Sequence, residues 1–160
     1  MRLPSTRVLR LAAISVLAGC TVLVAALLPV RAGGHDVIKI VGRSGVHAFT
    51  VELATNDAER DRGLMFRKKL APNHGMLFDF KSEQPLAFWM HDTYISLDMM
   101  FIGGDGRIRR IEEAAQPMSD TIIRSGAPAR AVLEVIAGTA RKFGIAPGDR
   151  VTGSVFGRSH

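Results

Sequence analysis

The sequence predicts one mainly β domain, folded as a sandwich or a barrel, with two short helices. About eight short runs of β-forming residues are separated by turns that contain glycine or proline. Only two short segments carry helix signals. Once an N-terminal leader is set aside, about 130 residues remain, which is enough for one hydrophobic core and too few for two domains.

Residues 1–32 have the layout of a secretory signal and are not counted with the domain. Arginines precede an uncharged apolar run at 11–28, and PVRA (29–32) ends it with a small residue. The apolar run is also long enough to remain as an uncleaved membrane anchor, while LAGC (17–20) matches a lipoprotein cleavage box with Cys20 as the lipidated residue. Under each alternative the domain is exported: it is periplasmic, or it is anchored to the membrane and faces outside the cytoplasm.

The charge balance argues against nucleic-acid binding. The whole chain carries a formal charge of +6, but four arginines and no acid lie in the leader, so the rest has an excess of only two basic residues. No basic stripe with interleaved aromatic residues remains. The single cysteine also lies in the leader, which excludes disulfide bonds, thiolate metal sites and cysteine nucleophiles from the domain.

The first predicted elements are two strands. Residues 33–45 are expected to form a linker and the first strand, VIKIV (37–41), and the single mainly β domain then spans 46–157. In VHAFTVELA (46–54) apolar and other residues alternate over nine positions, which is typical of a strand with one buried face.

A short helix follows the second strand. Asn56 is placed to cap its first N–H groups, and Glu59 stands at the capping-box position. Gly63 limits this helix to about two turns.

The remainder of the chain is predicted as further strands joined by turns. GGDG (103–106) links two β-compatible runs and indicates a hairpin, and it lacks the strand–loop–helix context of a phosphate-binding loop. The predicted elements are strands at 76–80, 86–91, 97–102, 107–114, 121–123, 131–136 and 150–156, and a helix at 139–143.

Five blocks of the chain carry a family resemblance. They are GLMFRKKL (63–70), GMLFDF (75–80), FWMHDTYISLDMMFI (88–102), LEVIAG (133–138) and GIAPGDRV (144–151). Through them, residues 50–156 resemble the bacterial and archaeal family named domain of unknown function 192. The resemblance implies a compact jelly-roll-like β domain, frequent export or membrane anchoring, and no assigned activity. The family usually has Lys-Asn where this chain has His91-Asp92, and it tends to have Pro at Ser96, so no catalytic residue is carried over.

The polar residues of the third block form the candidate ligand-binding site: Trp89, His91, Asp92, Thr93 and Asp98. If this segment is a strand, alternate residues from Trp89 to Thr93 share one face and line a pocket. A structural alternative assigns Thr93 and Asp98 to turn hydrogen bonds. A catalytic alternative is a small hydrolase-like enzyme in which His91 works with Asp92 or Asp98.

Methionines outside the leader suggest a second alternative, copper binding, because thioether and imidazole groups suit Cu(I). Met90 lies beside His91, and Met76 lies near His74. Core packing is the favoured interpretation, since methionine fills irregular gaps between apolar side chains. The methionines concerned are Met65, Met76, Met90, Met99, Met100 and Met118.

Three charged residues outside the candidate site need an explanation. Glu134 lies inside an apolar run, where a charge is expected to face outward or to find a buried partner, and an arginine is the first candidate. Arg60 and Arg62 have the geometry to clamp an anion, although their acidic neighbours favour a solvated helix face.

The sequence thus favours an extracytoplasmic ligand- or partner-binding module over an enzyme. No catalytic residue, cofactor or metal is assigned. The expected partners are a small ligand or an envelope protein, not nucleic acid, and the membrane itself if the N-terminal segment is not cleaved.

Overall fold

The computed structural model describes residues 35–157. The expectations for residues 1–32 and for the start of the linker lie outside this range. Within it, no helix is long and apolar enough to cross a membrane. The elements are β1 (His35–Gly42), β2 (Gly45–Ala54), α1 (Asp57–Arg62), β3 (His74–Gln84), β4 (Ala87–Phe88), β5 (Leu97–Ile102), β6 (Ile108–Ala115), β7 (Ile123–Arg124), β8 (Ala129–Ile136), α2 (Thr139–Phe143) and β9 (Arg150–Thr152).

Seven strands form one curled sheet, a half-barrel, in the order β6-β5-β8-β3-β2-β1-β9. The strands β4 and β7 form a separate two-stranded ribbon. Neighbours are antiparallel except β2 and β3, which are parallel and need a crossover connection. The segment that contains α1 supplies that crossover. The predicted mainly β domain with two short helices is confirmed.

The sheet is covered on both faces, so it separates two apolar clusters. Because successive residues of a strand face opposite sides, Leu77 and Leu133 contribute to the first cluster, and Phe78 and Val132 to the second. Residues from α2 and Ile145 complete the first cluster. Side chains from the segments around α1 and β4 complete the second. The interior strand β8 is therefore apolar on both faces, apart from Arg130 near its start and Glu134.

The predicted strand at 86–91 contains only β4, after which the chain turns. The N–H of Thr93 donates to the carbonyl of Met90 at 3.1 Å, and Asp92 has a φ of 49°. The predicted strand alternation along 89–93 is therefore wrong, because a tight turn replaces the extended backbone that alternation requires.

Two other predicted strands differ in length or position. The strand predicted at 121–123 is the two-residue β7, which is shifted by two residues. The strand predicted at 150–156 ends at Thr152, and Val155 and Phe156 leave the sheet to pack against the first apolar cluster.

The N-cap predicted for α1 is present, with one difference. Asn56 Oδ1 accepts a hydrogen bond from the N–H of Glu59 at 3.0 Å. The Glu59 carboxylate reaches past the N-cap residue to the N–H of Thr55 at 2.8 Å. Gly63 ends the helix with a φ of 46°, as expected for a residue without a side chain. The cap therefore holds α1 where the chain crosses from β2 to β3.

Substituting Asn56→Ala is expected to lower the free energy of unfolding by about 1 kcal/mol, because the first turn of α1 loses its side-chain acceptor. Urea denaturation followed by circular dichroism measures the change. The matched control is Asn56→Asp, which keeps the acceptor and is expected to have the midpoint of the unsubstituted protein. Equal stability of the alanine variant would show that the cap contributes nothing.

Candidate functional site

A cavity of about 500 Å³ lies on the side of the sheet that carries the second apolar cluster. Its size falls in the range of small-molecule sites. Glu134 on β8 forms the floor, side chains of β3, β4 and the turn after β4 form the walls, and α1 lies at the mouth. The residues that line it are Asp57, Arg60, Asp61, Arg62, Gly63, Leu64, Met65, Phe78, Phe80, Gln84, Ala87, Phe88, Trp89, Thr93 and Glu134.

Glu134 is the one floor residue with a charged group. Its register places it in a row across the sheet: Met99 and Met76 are its cross-strand neighbours, and Glu112 and Glu52 lie one strand further on each side. Cross-strand neighbours share a face, so two thioether side chains flank the buried carboxyl group.

The carboxyl group of Glu134 is almost fully buried and has no partner among residues 35–157. The residue is 4% exposed, its side chain lines the cavity, and no hydrogen bond or ion pair to it is formed within this range. Burial disfavours the charged form and raises the pKa of Glu134 to about 8. At neutral pH the group is therefore mainly a neutral acid, which is able to donate as well as to accept a hydrogen bond.

The expectation that an arginine pairs with Glu134 is wrong, because the arginines near this row bind other groups. Arg60 donates to the carbonyl of Asp79 at 2.9 Å. Arg67 binds Glu52 through both guanidinium nitrogens. The carboxyl group is thus left facing the cavity.

The walls are aromatic. Phe88 meets Phe78 edge to face with ring centroids 5.1 Å apart, and meets Phe80 in the same way at 6.2 Å. Phe101 closes the group behind Phe88 at 6.1 Å. These contacts hold the rings in fixed orientations around Glu134.

The mouth is charged but balanced. Asp57, Asp61, Arg60 and Arg62 lie on α1, two of each sign. Only Arg60 is held by the wall: its guanidinium lies 5.0 Å from the centre of the Phe80 ring, and its side chain is 17% exposed. The predicted solvated helix face is therefore correct for Arg62, which is exposed, and wrong for Arg60.

The structure brings four of the five predicted site residues together beside this cavity. Trp89 and Thr93 line it. His91 stacks on Trp89 with ring centroids 5.0 Å apart, and its Nδ1 donates to Asp120 Oδ1 at 2.7 Å. Asp92 lies 3.6 Å from the other ring nitrogen of His91. The hydrogen bond to Asp120 is the main cause of the raised pKa of His91, and the charge of Asp92 adds to it.

Asp98, the fifth predicted residue, is separate from the others. It is 0% exposed, and its two carboxylate oxygens accept the N–H groups of Ala114 and Ala140, each at 2.9 Å. Asp98 thus connects an irregular position of β6 to the start of α2. The pair of His91 with Asp98 that the hydrolase alternative includes is not formed, whereas His91 remains close to Asp92.

Four exposed apolar side chains lie on or beside the turn that follows β4. We call Phe66, Trp89, Tyr94 and Met118 the rim patch; each is 44–55% exposed. Phe66 packs edge to face on Tyr94 with ring centroids 6.2 Å apart. Phe66 and Met118 both have positive φ, at 63° and 59°. Such backbone is costly for non-glycine residues and persists where the surroundings hold it in place.

Most of the methionines pack in the core, as predicted. Met76, Met90 and Met99 are buried in the second apolar cluster, and Met100 is buried in the first. The prediction is wrong for Met118, which is 55% exposed.

The imidazoles proposed as copper ligands lie outside the core. The ring of His74 is exposed and donates to the carbonyl of Pro72, and His91 is bound to Asp120. Within residues 35–157, no three His, Cys, Asp or Glu side chains come together as metal ligands.

Sequence reasoning missed the main features of the cavity: its floor at Glu134, its phenylalanine walls and its mouth on α1. The available signal was the charge inside the apolar run 131–136, which was interpreted as one half of an ion pair. No sequence pattern predicts the walls, because they are formed by side chains of β3 and β4 that only the tertiary fold brings together.

Comparison with known proteins identifies relatives over most of the chain. Residues 38–153 match the family DUF192, which is described as "Uncharacterized ACR". A crystal structure of a proposed transcription regulator from Sinorhizobium meliloti 1021 is 46% identical, has a TM-score of 0.76, and is matched over 78% of this chain and 97% of that chain. A crystal structure of a protein of unknown function from Novosphingobium aromaticivorans DSM 12444 is 39% identical, has a TM-score of 0.74, and is matched over 79% of this chain and 91% of that chain. Among curated proteins, none matches.

Proposed function

Because the chain belongs to DUF192, a family described as uncharacterized, we propose its function from the cavity: it is a small-molecule-binding module that acts outside the cytoplasm. One observation carries the proposal. A buried carboxyl group, Glu134, lies at the floor of an aromatic cavity with no partner among residues 35–157. Burial without a partner costs free energy, and a ligand that supplies the missing partner recovers part of that cost.

Binding is a better account of this site than catalysis. A hydrolase needs a nucleophile or an activated water next to a base, with a third group that orients the base. His91 is oriented by Asp120, but it does not line the cavity, and no hydrogen bond from its ring to a hydroxyl group is formed among residues 35–157. A small ligand is also a better occupant than an envelope protein, because the carboxyl group lies at the floor of a cavity and not on an open surface.

The location rests on the arginine-flanked apolar run within residues 1–32. Cell fractionation tests it. Release of the domain in soluble form supports cleavage after Ala32, loss of membrane retention in Cys20→Ser supports lipidation, and unchanged retention supports an anchor. Recovery of the protein in the cytoplasmic fraction contradicts export.

Ligands of this cavity are expected to change the fluorescence of the purified protein, because Trp89 is the only tryptophan of the chain and lines the cavity. A ligand present at 100 times its Kd stabilises the native state by about 2.7 kcal/mol, which raises Tm by about 10 °C for a domain of this size. The measurement is a screen of a library of periplasmic metabolites in which both the Trp89 fluorescence and the Tm are recorded for each compound.

Two variants localise the response. Phe88→Leu is expected to weaken binding, since Phe88 forms the aromatic wall. Val46→Ala, on the exposed part of β2, is the matched control and is expected to bind as the unsubstituted protein does. A folded protein that responds to no compound in the library would contradict the proposed function.

A further inference from the structure

We propose that the cavity binds an organic cation, a methylated or simple alkylammonium group whose charge pairs with Glu134 and whose carbon atoms contact the phenylalanine walls. This inference rests on the proposed function, since it names the class of ligand that the same cavity takes.

The floor of the cavity lacks a donor for Glu134. Met76 and Met99, its cross-strand neighbours, carry thioether sulfur, which has no hydrogen to donate. The backbone of β8 is paired on both sides, with β3 and with β5. A partner for this carboxyl group therefore has to come from the ligand. An organic cation is the strongest candidate, because its positive charge pairs directly with the ionised carboxylate at a buried site, whether or not the cation also carries an N–H group.

The walls favour a cation whose charge is spread over carbon groups. Phe78, Phe80 and Phe88 are held edge to face around the floor, and aromatic rings attract cations that lie within about 6 Å of their faces. The Phe80 ring already has the guanidinium of Arg60 5.0 Å from its centre, so Phe78 and Phe88 are the rings left for a ligand cation. Methylated ammonium groups suit such a site because they lose little hydration on burial and fill apolar space.

The charges around the cavity favour the same sign of ligand. The four charged residues of α1 that line the cavity cancel, so the charge state of Glu134 decides the net charge of the lining. Further along the row, Glu52 is paired with Arg67 and Glu112 with Arg110. His91 lies outside Trp89 and is paired with Asp120. An anion would meet the unpaired carboxyl group of Glu134, whereas a cation would neutralise it.

Cation binding is coupled to release of a proton. The pKa of Glu134 is raised to about 8 in the free protein, so the carboxyl group is mainly protonated at neutral pH. A cation binds the ionised form, and its apparent affinity is expected to rise about tenfold per pH unit from pH 6 to about pH 8 and then to level off.

Isothermal titration calorimetry of the purified protein tests this with matched probes. Choline is compared with 3,3-dimethylbutan-1-ol, which has the same shape and no charge, and tetramethylammonium serves as the minimal cation. Choline is expected to bind at least tenfold more tightly than the alcohol at pH 8.5. Titration in buffers of different ionisation enthalpy is expected to show release of up to one proton per choline at pH 6.5.

Glu134→Gln is expected to weaken choline binding at least tenfold at pH 8.5 and to remove the pH dependence of that binding. The affinity for the uncharged alcohol is expected to stay the same. Glutamine has nearly the same shape as the protonated acid, and circular dichroism checks that the variant is folded. The control Glu113→Gln removes an exposed carboxylate that does not line the cavity, and it is expected to change neither quantity.

Two results would overturn the inference. The first is a failure of charge selectivity: the alcohol binds as tightly as choline, or the affinity for choline does not change between pH 6 and pH 8. The cavity would then take a neutral ligand, and the proposed function would stand. The other is that neither cation binds at 10 mM and pH 8.5. The proposed function is contradicted only if the metabolite library also gives no response.

Discussion

Replacing Asp98 with alanine is expected to lower the free energy of unfolding by about 3–5 kcal/mol, because one buried and one partly buried N–H group lose their carboxylate acceptor at once. Both carboxylate oxygens are used, one by Ala114 in β6 and one by Ala140 in α2. Ala114 has a φ of 51°, so its backbone is held in a conformation that a non-glycine residue adopts at a cost. Without Asp98, this conformation loses the side-chain hydrogen bond to its N–H group.

Urea denaturation followed by circular dichroism measures the effect. Asp98→Asn keeps one acceptor and is expected to lose about half as much stability as the alanine variant. Asp120→Ala is the control, since Asp120 is an exposed carboxylate whose partner is the exposed ring of His91, and a change within about 0.5 kcal/mol is expected. A loss below 1 kcal/mol for Asp98→Ala would show that solvent replaces the carboxylate, and that this side chain does not organise β6 and α2.

Glu134→Gln is expected to stabilise the protein increasingly as pH rises. The pKa of Glu134 is about 8 in the native state and 4.5 without burial, so between these values the native state holds a proton that the unfolded chain releases. Stability then falls as pH rises through this window, by about 1.4 kcal/mol per pH unit. Glutamine does not titrate. The free energy of unfolding of the variant is therefore expected to exceed that of the unsubstituted protein by about 3–5 kcal/mol at pH 9, and by much less at pH 5.

The measurement is the difference in free energy of unfolding between the two proteins at pH 5, 7 and 9. Glu113→Gln serves again as the control and is expected to leave the pH dependence unchanged, because that carboxylate is solvated in both states. If the difference for Glu134→Gln is the same at all three pH values, Glu134 ionises in the native state as freely as in water, and the argument for an unpaired buried carboxyl group fails.

Local elements of this fold were predictable because their signals are local. Asn56 and Glu59 lie three residues apart, which is the spacing that a capped helix start requires, and α1 begins there. The glycine-rich link at 103–106 joins β5 to β6 as a hairpin. The turn at 89–93 was not predictable in the same way. The run LAFWMH (86–91) that leads into it has the composition of a strand. The turn itself depends on hydrogen bonds from distant residues, such as the N–H of Met90 to the carbonyl of Ser119 at 2.9 Å.

The candidate site shows the same division. Trp89 and Thr93 were identified from composition and do line the cavity. Asp98 was grouped with them because it is near in sequence, yet strand alternation and the packing of α2 place it on the opposite face of the sheet. Glu134 lies far along the chain from Trp89 and joins the site through the pairing of β8 with β3 and β5.

Short-range patterns along the chain were therefore sufficient for the mainly β class, the helix cap and the hairpin. They depend on the chemistry of neighbouring residues and on the period of two residues in a strand. Which residues line the cavity is decided only by the pairing of the strands in the folded sheet. A carboxyl group in an apolar run is compatible with an ion pair, an exposed edge or a ligand site. Which of these exists depends on the side chains that strand pairing brings beside Glu134, and here they are two methionines and a group of phenylalanines.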